Sequence, residues 1–132
     1  MARDPTRPLF LVVDDEEGIR SLLTDILEDL GYAVVAAEDG EGALAAMERD
    51  RAEIRLVICD YVLPGKSGIE TLKALRGVRP GLPAILSTGY DDRDETGASL
   101  REAAKKEGFE VLSKPYKIDA LMDSIARALG TA

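Results

Sequence analysis

The chain has 132 residues, 45% of them hydrophobic and 32% charged, with a formal net charge of −8, one cysteine and no histidine. That length makes a single domain able to bury a core without disulfides or a structural metal. The acidic balance, with no basic run, argues against direct nucleic-acid or anionic-membrane binding and suits a cation or a basic partner. The missing histidine removes imidazole from every general-base, metal or triad scheme, leaving carboxylates, hydroxyls, lysine and backbone.

Residues 1–8 carry Pro5, Pro8 and alternating charge, have nothing to bury, and are expected as a flexible tail ahead of a domain at 9–130. The N-terminus lacks an apolar core and no apolar run approaches the ~18 residues of a membrane span, so a cytoplasmic protein is expected. Leu9-Phe10-Leu11-Val12-Val13 reads as a buried strand that stops at Asp14-Asp15-Glu16-Glu17. Ile19, Leu22, Leu23, Ile26, Leu27 and Leu30 then recur at helical spacing, with Gly31 as a stop.

Ala33-Val34-Val35-Ala36-Ala37 is a second strand, and Glu38-Asp39-Gly40 opens a helix through Ala43, Leu44 and Met47 to about Arg51. Leu56-Val57-Ile58-Cys59 is a third strand ending on Asp60, where Pro64-Gly65 and Gly68 mark the exit from the sheet. Cys59 inside that run reads as a small core hydrophobe. Ile69, Leu72 and Leu75 mark a third helix, stopped by Pro80-Gly81-Leu82-Pro83. Ala84-Ile85-Leu86-Ser87 is a fourth strand reaching Thr88-Gly89-Tyr90. The segment 91–108 contains Gly97 and only Leu100, Ala103 and Ala104 as an apolar stripe, so its helix is expected to be weakly anchored. Glu110-Val111-Leu112-Ser113 is a short fifth strand followed by Lys114-Pro115, and Ile118, Leu121, Met122, Ile125 and Leu129 make an amphipathic last helix.

Strands alternating with helices predict an α/β fold: a flavodoxin-like, doubly wound, five-stranded parallel sheet in the order 2-1-3-4-5 with helices on both faces. Ligands of such sheets bind beyond the carboxyl ends of the strands. Asp14, Asp15, Asp60, Thr88 and Lys114 all fall there. A turn-stabilising role for Asp60 and a helix cap for Asp15 account for one carboxylate each, not for three together. Crowded carboxylates call for a hard cation with oxygen ligands, here Mg²⁺. The hydroxyl and ammonium suit an incoming phosphoryl group, with Asp60 as the nucleophile that becomes an acyl phosphate.

These motifs resemble the receiver domains of two-component response regulators over about residues 8 to 130. The acidic pair matches Asp14-Asp15, and the phosphoacceptor followed four residues later by proline and eight later by glycine matches Asp60, Pro64 and Gly68. The hydroxyl after strand 4 matches Thr88, and the Lys-Pro after strand 5, often a cis peptide in the family, matches Lys114-Pro115. The resemblance implies that Asp15, Asp60 and the backbone carbonyl of Val62 ligate Mg²⁺, with Asp14 acting largely through water. It further implies that Thr88 and Lys114 hold phosphoryl oxygens, and that the donor is a phosphohistidine on a sensor histidine kinase or a histidine phosphotransfer protein. A dimer through the fourth helix, fifth strand and fifth helix is compatible with it. The family's switch aromatic three residues before the lysine is replaced by Val111, and extra length is expected within 91–99. The sequence is expected to be a single-domain regulator or a receiver from a larger protein such as a hybrid kinase.

Gly65-Lys66-Ser67 imitates the end of a nucleotide-binding P-loop, but Asp60 stands where that motif needs glycine. An aspartyl-phosphate phosphatase normally has a second acid two residues past its nucleophile, and that position is Val62. A flavodoxin-like cofactor binder is disfavoured, because aromatic content here is low and no phosphate-cradling Ser/Thr/Gly loop follows strand 1.

Overall fold

A computed structural model describes residues 4–91 and 93–130. Residues 1–3 of the expected tail and Asp92 of the expected insertion lie outside the described residues. The strands are β1 (Leu9–Val13), β2 (Ala33–Ala37), β3 (Ile54–Asp60), β4 (Ala84–Thr88) and β5 (Glu110–Ser113), all parallel, in the order β2-β1-β3-β4-β5. The helices are α1 (Glu17–Asp29), α2 (Gly40–Asp50), α3 (Gly68–Val78), α4 (Glu95–Glu107) and α5 (Ile118–Leu129). The order and both-faced covering match the sequence expectation.

Side chains of a strand alternate between faces, so each apolar run serves two cores. Phe10, Val12, Leu56, Ile58, Ile85 and Leu112 meet Leu23 and Leu27 of α1 and Leu121 and Ile125 of α5. Leu11, Val13, Val57, Cys59 and Leu86 meet Met47 of α2, Leu72 and Leu75 of α3, and Leu100 and Ala104 of α4. Each of the larger side chains contributes about 1.5–3 kcal/mol by leaving water. Register then brings the strand ends level: Val13 pairs with Cys59, Asp60 with Ser87, and Thr88 with Ser113.

Two local expectations change. The fourth helix is better held than its thin stripe implies, because Gly97, Leu100 and Ala104 are all buried and Arg76 of α3 reaches across to its C-terminus. The Arg76 guanidinium donates to the carbonyls of Leu82 and Glu107 and lies 4.6 Å over the Phe109 ring. At the N-terminus of α4 the cap residue Asp94 makes no side-chain cap bond. Residues 4–8 form a turn about Asp4, whose carboxylate accepts from the Thr6 N–H at 2.9 Å, and Arg7 donates to the Glu28 carbonyl at 3.3 Å.

Candidate functional site

The three acids come together at the carboxyl end of the sheet. β1 delivers Asp14 and β3 delivers Asp60, both buried, while Asp15 is exposed one residue on. One carboxylate oxygen from each of Asp14, Asp15 and Asp60 lies within 4.8 Å of the others. Lys114, carried there by β5, bridges two of them: its Nζ is 3.0 Å from Asp14 Oδ2 and 3.3 Å from Asp60 Oδ2. Of the two remaining predicted residues, Thr88 is buried at the end of β4, and Val62 stands on the loop beyond Asp60, 56% exposed.

Several backbone contacts hold this lip. The Asp14 N–H donates to the Ala37 carbonyl at 3.1 Å, and its own carbonyl accepts from Arg20 at 2.7 Å. The cap of α1 differs from expectation: Glu16 occupies the N-cap position without a side-chain cap bond, and it is Asp14, not Asp15, whose carboxylate accepts a backbone N–H there, from Glu16 at 2.9 Å. Asp15 is left with its carboxylate toward solvent and the other acids. On the far side, the Lys114 N–H donates to the Thr88 carbonyl at 2.8 Å, and the Lys114-Pro115 peptide is cis.

The chain turns back under Asp60 at Gly68. The Gly68 N–H donates to the Tyr61 carbonyl at 2.7 Å, and a Cβ on residue 68 would fall 2.2 Å from the Asp60 carbonyl oxygen. Only glycine permits that approach. Ser67 and Glu70 then close a reciprocal capping box on α3, which fixes where the loop after Asp60 ends.

One ammonium among three carboxylates leaves the pocket negative. Burial pushes the Asp60 carboxyl above the usual carboxylate range, and neighbouring Asp14 adds to this; Lys114 and the Val62 N–H pull downward without cancelling it. Burial works to lower the Lys114 ammonium, but its bond to Asp14 and the charge of Asp60 outweigh it and hold the group above the ordinary lysine range. The two shifts have different origins: burial dominates at Asp60, and the neighbouring acids dominate at Lys114. Three hard oxygen donors in reach of one another fit a small divalent cation, with room for retained waters on the exposed Asp15 side. Cys59, beside this site in sequence, faces the opposite core, and burial drives its thiol far up, so it takes no part.

Sequence reasoning missed a second polar contact at this end of the sheet. Ser87 Oγ and Tyr116 Oη are 2.6 Å apart, with Ser87 buried and Tyr116 packed on the α1–α5 side. A tyrosine two residues past Lys114, and a serine whose strand position aligns with Asp60, were the available signals. The Tyr90 ring also meets Tyr61 edge-on, with centroids 6.0 Å apart.

The family model described as the response regulator receiver domain matches residues 10–126. Sporulation initiation phosphotransferase F of Bacillus subtilis is 31% identical over 119 residues, spanning 90% of this chain and 91% of that protein. Response regulator protein FleR of Pseudomonas aeruginosa is 36% identical over 121 residues, and there the match spans 91% of this chain but only 24% of the relative. Among solved structures, a response regulator receiver domain protein from Clostridium thermocellum superposes with a TM-score of 0.83 at 29% identity, covering 92% of this chain and 94% of that one. The chain therefore spans nearly all of some relatives and about a quarter of others.

Proposed function

The chain belongs to the response regulator receiver domain family of two-component signalling, and from that premise we propose that Asp60 accepts a phosphoryl group from a phosphohistidine partner. The observation that carries this reading is the Lys114 bridge between Asp14 and Asp60, which sets an ammonium 3.3 Å from Asp60 at the end of the central strand β3. A carboxylate oxygen of Asp60 attacks phosphorus, the P–N bond breaks, and its electron pair returns to the imidazole nitrogen, which takes a proton from solvent. The product on this chain is an acyl phosphate. Lys114 offers its ammonium to the phosphoryl oxygens, and the Thr88 hydroxyl supplies a second donor.

Asp14, Asp15 and Asp60, with the backbone carbonyl of Val62, are the residues that would hold Mg²⁺, and their all-oxygen donor set supports that choice. When bound, the cation supplies the positive charge that lets an anionic phosphoryl group approach three acids. The partner is a sensor histidine kinase or a histidine phosphotransfer protein, and the outcome is an altered protein-binding surface. Incubation with a small phosphodonor tests the reading. Stoichiometric labelling is expected of a receiver, whereas continuous turnover would indicate the phosphatase that Val62 argues against.

A further inference from the structure

We propose that Tyr116 and Ser87 form a latch that positions Lys114, so that the tyrosine hydroxyl controls the reactivity of Asp60 without touching it. The inference rests on the phosphoacceptor reading above for its kinetic consequence, but its geometric part stands alone. Residues 114 and 116 are both tied to β4, and to adjacent residues of it: the Lys114 N–H to the Thr88 carbonyl at 2.8 Å, and the Tyr116 hydroxyl to Ser87 Oγ at 2.6 Å. The backbone that carries the lysine is therefore fixed on both sides.

That fixing matters because of what lysine is. Its ammonium sits on a flexible four-carbon stem with about 2 kcal/mol of rotamer entropy, and nothing in the side chain itself selects one direction. Here Nζ must lie between Asp14 and Asp60, 3.0 and 3.3 Å away. Small movements of the lysine backbone are passed to a head group that must satisfy two acids at once.

The latch is also placed to act on this site and no other. Asp60 and Ser87 are paired in register across β3 and β4, and alternation puts Ser87 on the Ile85 side of the sheet, the side that α1 and α5 cover. Tyr116 packs there as well, so its hydroxyl reaches the buried position beside Asp60 from the same side as Lys114. Ser87 is 1% exposed, so a tyrosine hydroxyl is its partner in place of water. Burial raises the Tyr116 phenol, and it remains a neutral hydrogen-bonding group while feeling the charges of Lys114, Asp14 and Asp60.

Tyr116→Phe removes the hydroxyl and keeps the ring. Two measurements on the full chain test the latch. In the first, without phosphodonor, proton exchange with water is followed at the Lys114 ammonium by ¹⁵N NMR, the signal being identified by its loss in Lys114→Ala. Tyr116→Phe and Ser87→Ala should each accelerate that exchange several-fold, and the double variant should add little to either. Unchanged exchange in the single variants would overturn the proposal, whatever the protein's reaction with phosphodonors. In the second, the rate of Asp60 labelling by a small phosphodonor should fall about three- to tenfold in Tyr116→Phe, the worth of one hydrogen bond. In a Lys114→Ala background the same substitution should change nothing, because the hydroxyl acts through the lysine. An equal loss in both backgrounds would overturn the positioning role, and absence of labelling in the unaltered chain would instead refute the phosphoacceptor reading while leaving the exchange test in force.

Discussion

Thr88 and Tyr90 are joined by a 3.0 Å hydrogen bond in which the Thr88 hydroxyl accepts the Tyr90 backbone N–H. The hydroxyl proposed to meet a phosphoryl group is therefore already engaged with the loop that leads into α4. Turning it toward Asp60 costs that loop an anchor, and the α4 cap residue Asp94 makes no side-chain cap bond to replace it, whereas Arg76 donates to the Glu107 carbonyl at the helix C-terminus. Val111, small and restricted to few rotamers, offers no large ring to move in response. A beryllofluoride mimic of phosphorylation should change hydrogen-exchange protection most over residues 89–104, less around Val111, and the change should be strongly reduced in Thr88→Ala. A response centred on α1 would place the switch elsewhere.

The raised Asp60 carboxyl has a consequence for stability. Its folded-state value lies above the ordinary one, so the folded chain binds the proton more tightly than the unfolded chain between those two values. The stability that protonation lends is present below the ordinary carboxylate range and lost as pH rises through the raised value. At neutral pH the ionised group is then a liability. Asp60→Asn should stabilise the metal-free protein at pH 7, seen as a higher melting temperature, and the gain should shrink as pH falls into the ordinary carboxylate range. Calorimetry across that pH range checks it, and a destabilised variant at pH 7 would contradict it. Millimolar Mg²⁺ should narrow the gap, because a cation that binds only the folded state stabilises the unaltered acid cluster.

Gly68 sets the position of Asp60 from behind. Since a Cβ there would strike the Asp60 carbonyl and the Tyr61 backbone, and neither is a side chain free to swing away, Gly68→Ala must displace the end of β3. A loss of about 1–3 kcal/mol is expected in chemical denaturation, with weaker Mg²⁺ binding in titration calorimetry. Gly77→Ala, where nothing lies within 4 Å of the added carbon, is the control and should be neutral or stabilising.

Hydrolysis of an acyl phosphate needs a water in line with phosphorus. Val62, 56% exposed, stands two residues past Asp60, and Tyr90, 39% exposed, two past Thr88, and neither is an acid or amide that would orient water. A long-lived phosphorylated form is expected. Val62→Asn with Tyr90→Glu should hasten phosphate release, and an unchanged decay rate would count against this view.

The strands β1, β3 and β4 were legible because the middle of a parallel sheet is buried on both faces, leaving continuous apolar runs, and Asp14, Asp60 and Thr88 stand at their ends. Asp14, Asp15, Asp60 and Lys114 converge for the same reason. What could not be read were contacts that depend on where a turn sends a side chain. Arg76 reaches the carbonyl of Glu107, 31 residues away, and no periodicity encodes that. Tyr116 meets Ser87 only because the chain after Lys114 folds back onto the α1–α5 side of the sheet. Asp14, not Asp15, accepts the N–H at the start of α1, a matter of one residue's backbone direction.

The central claim is that Asp60 is the phosphoacceptor. Incubating the chain with a small phosphodonor and Mg²⁺, then mapping the modification by mass spectrometry, tests it most directly. One acid-labile, hydroxylamine-sensitive phosphoryl group per chain is expected on Asp60, absent in Asp60→Asn and strongly reduced when Mg²⁺ is chelated. Labelling that persists in Asp60→Asn, or that maps to another residue of the unaltered chain, would contradict it.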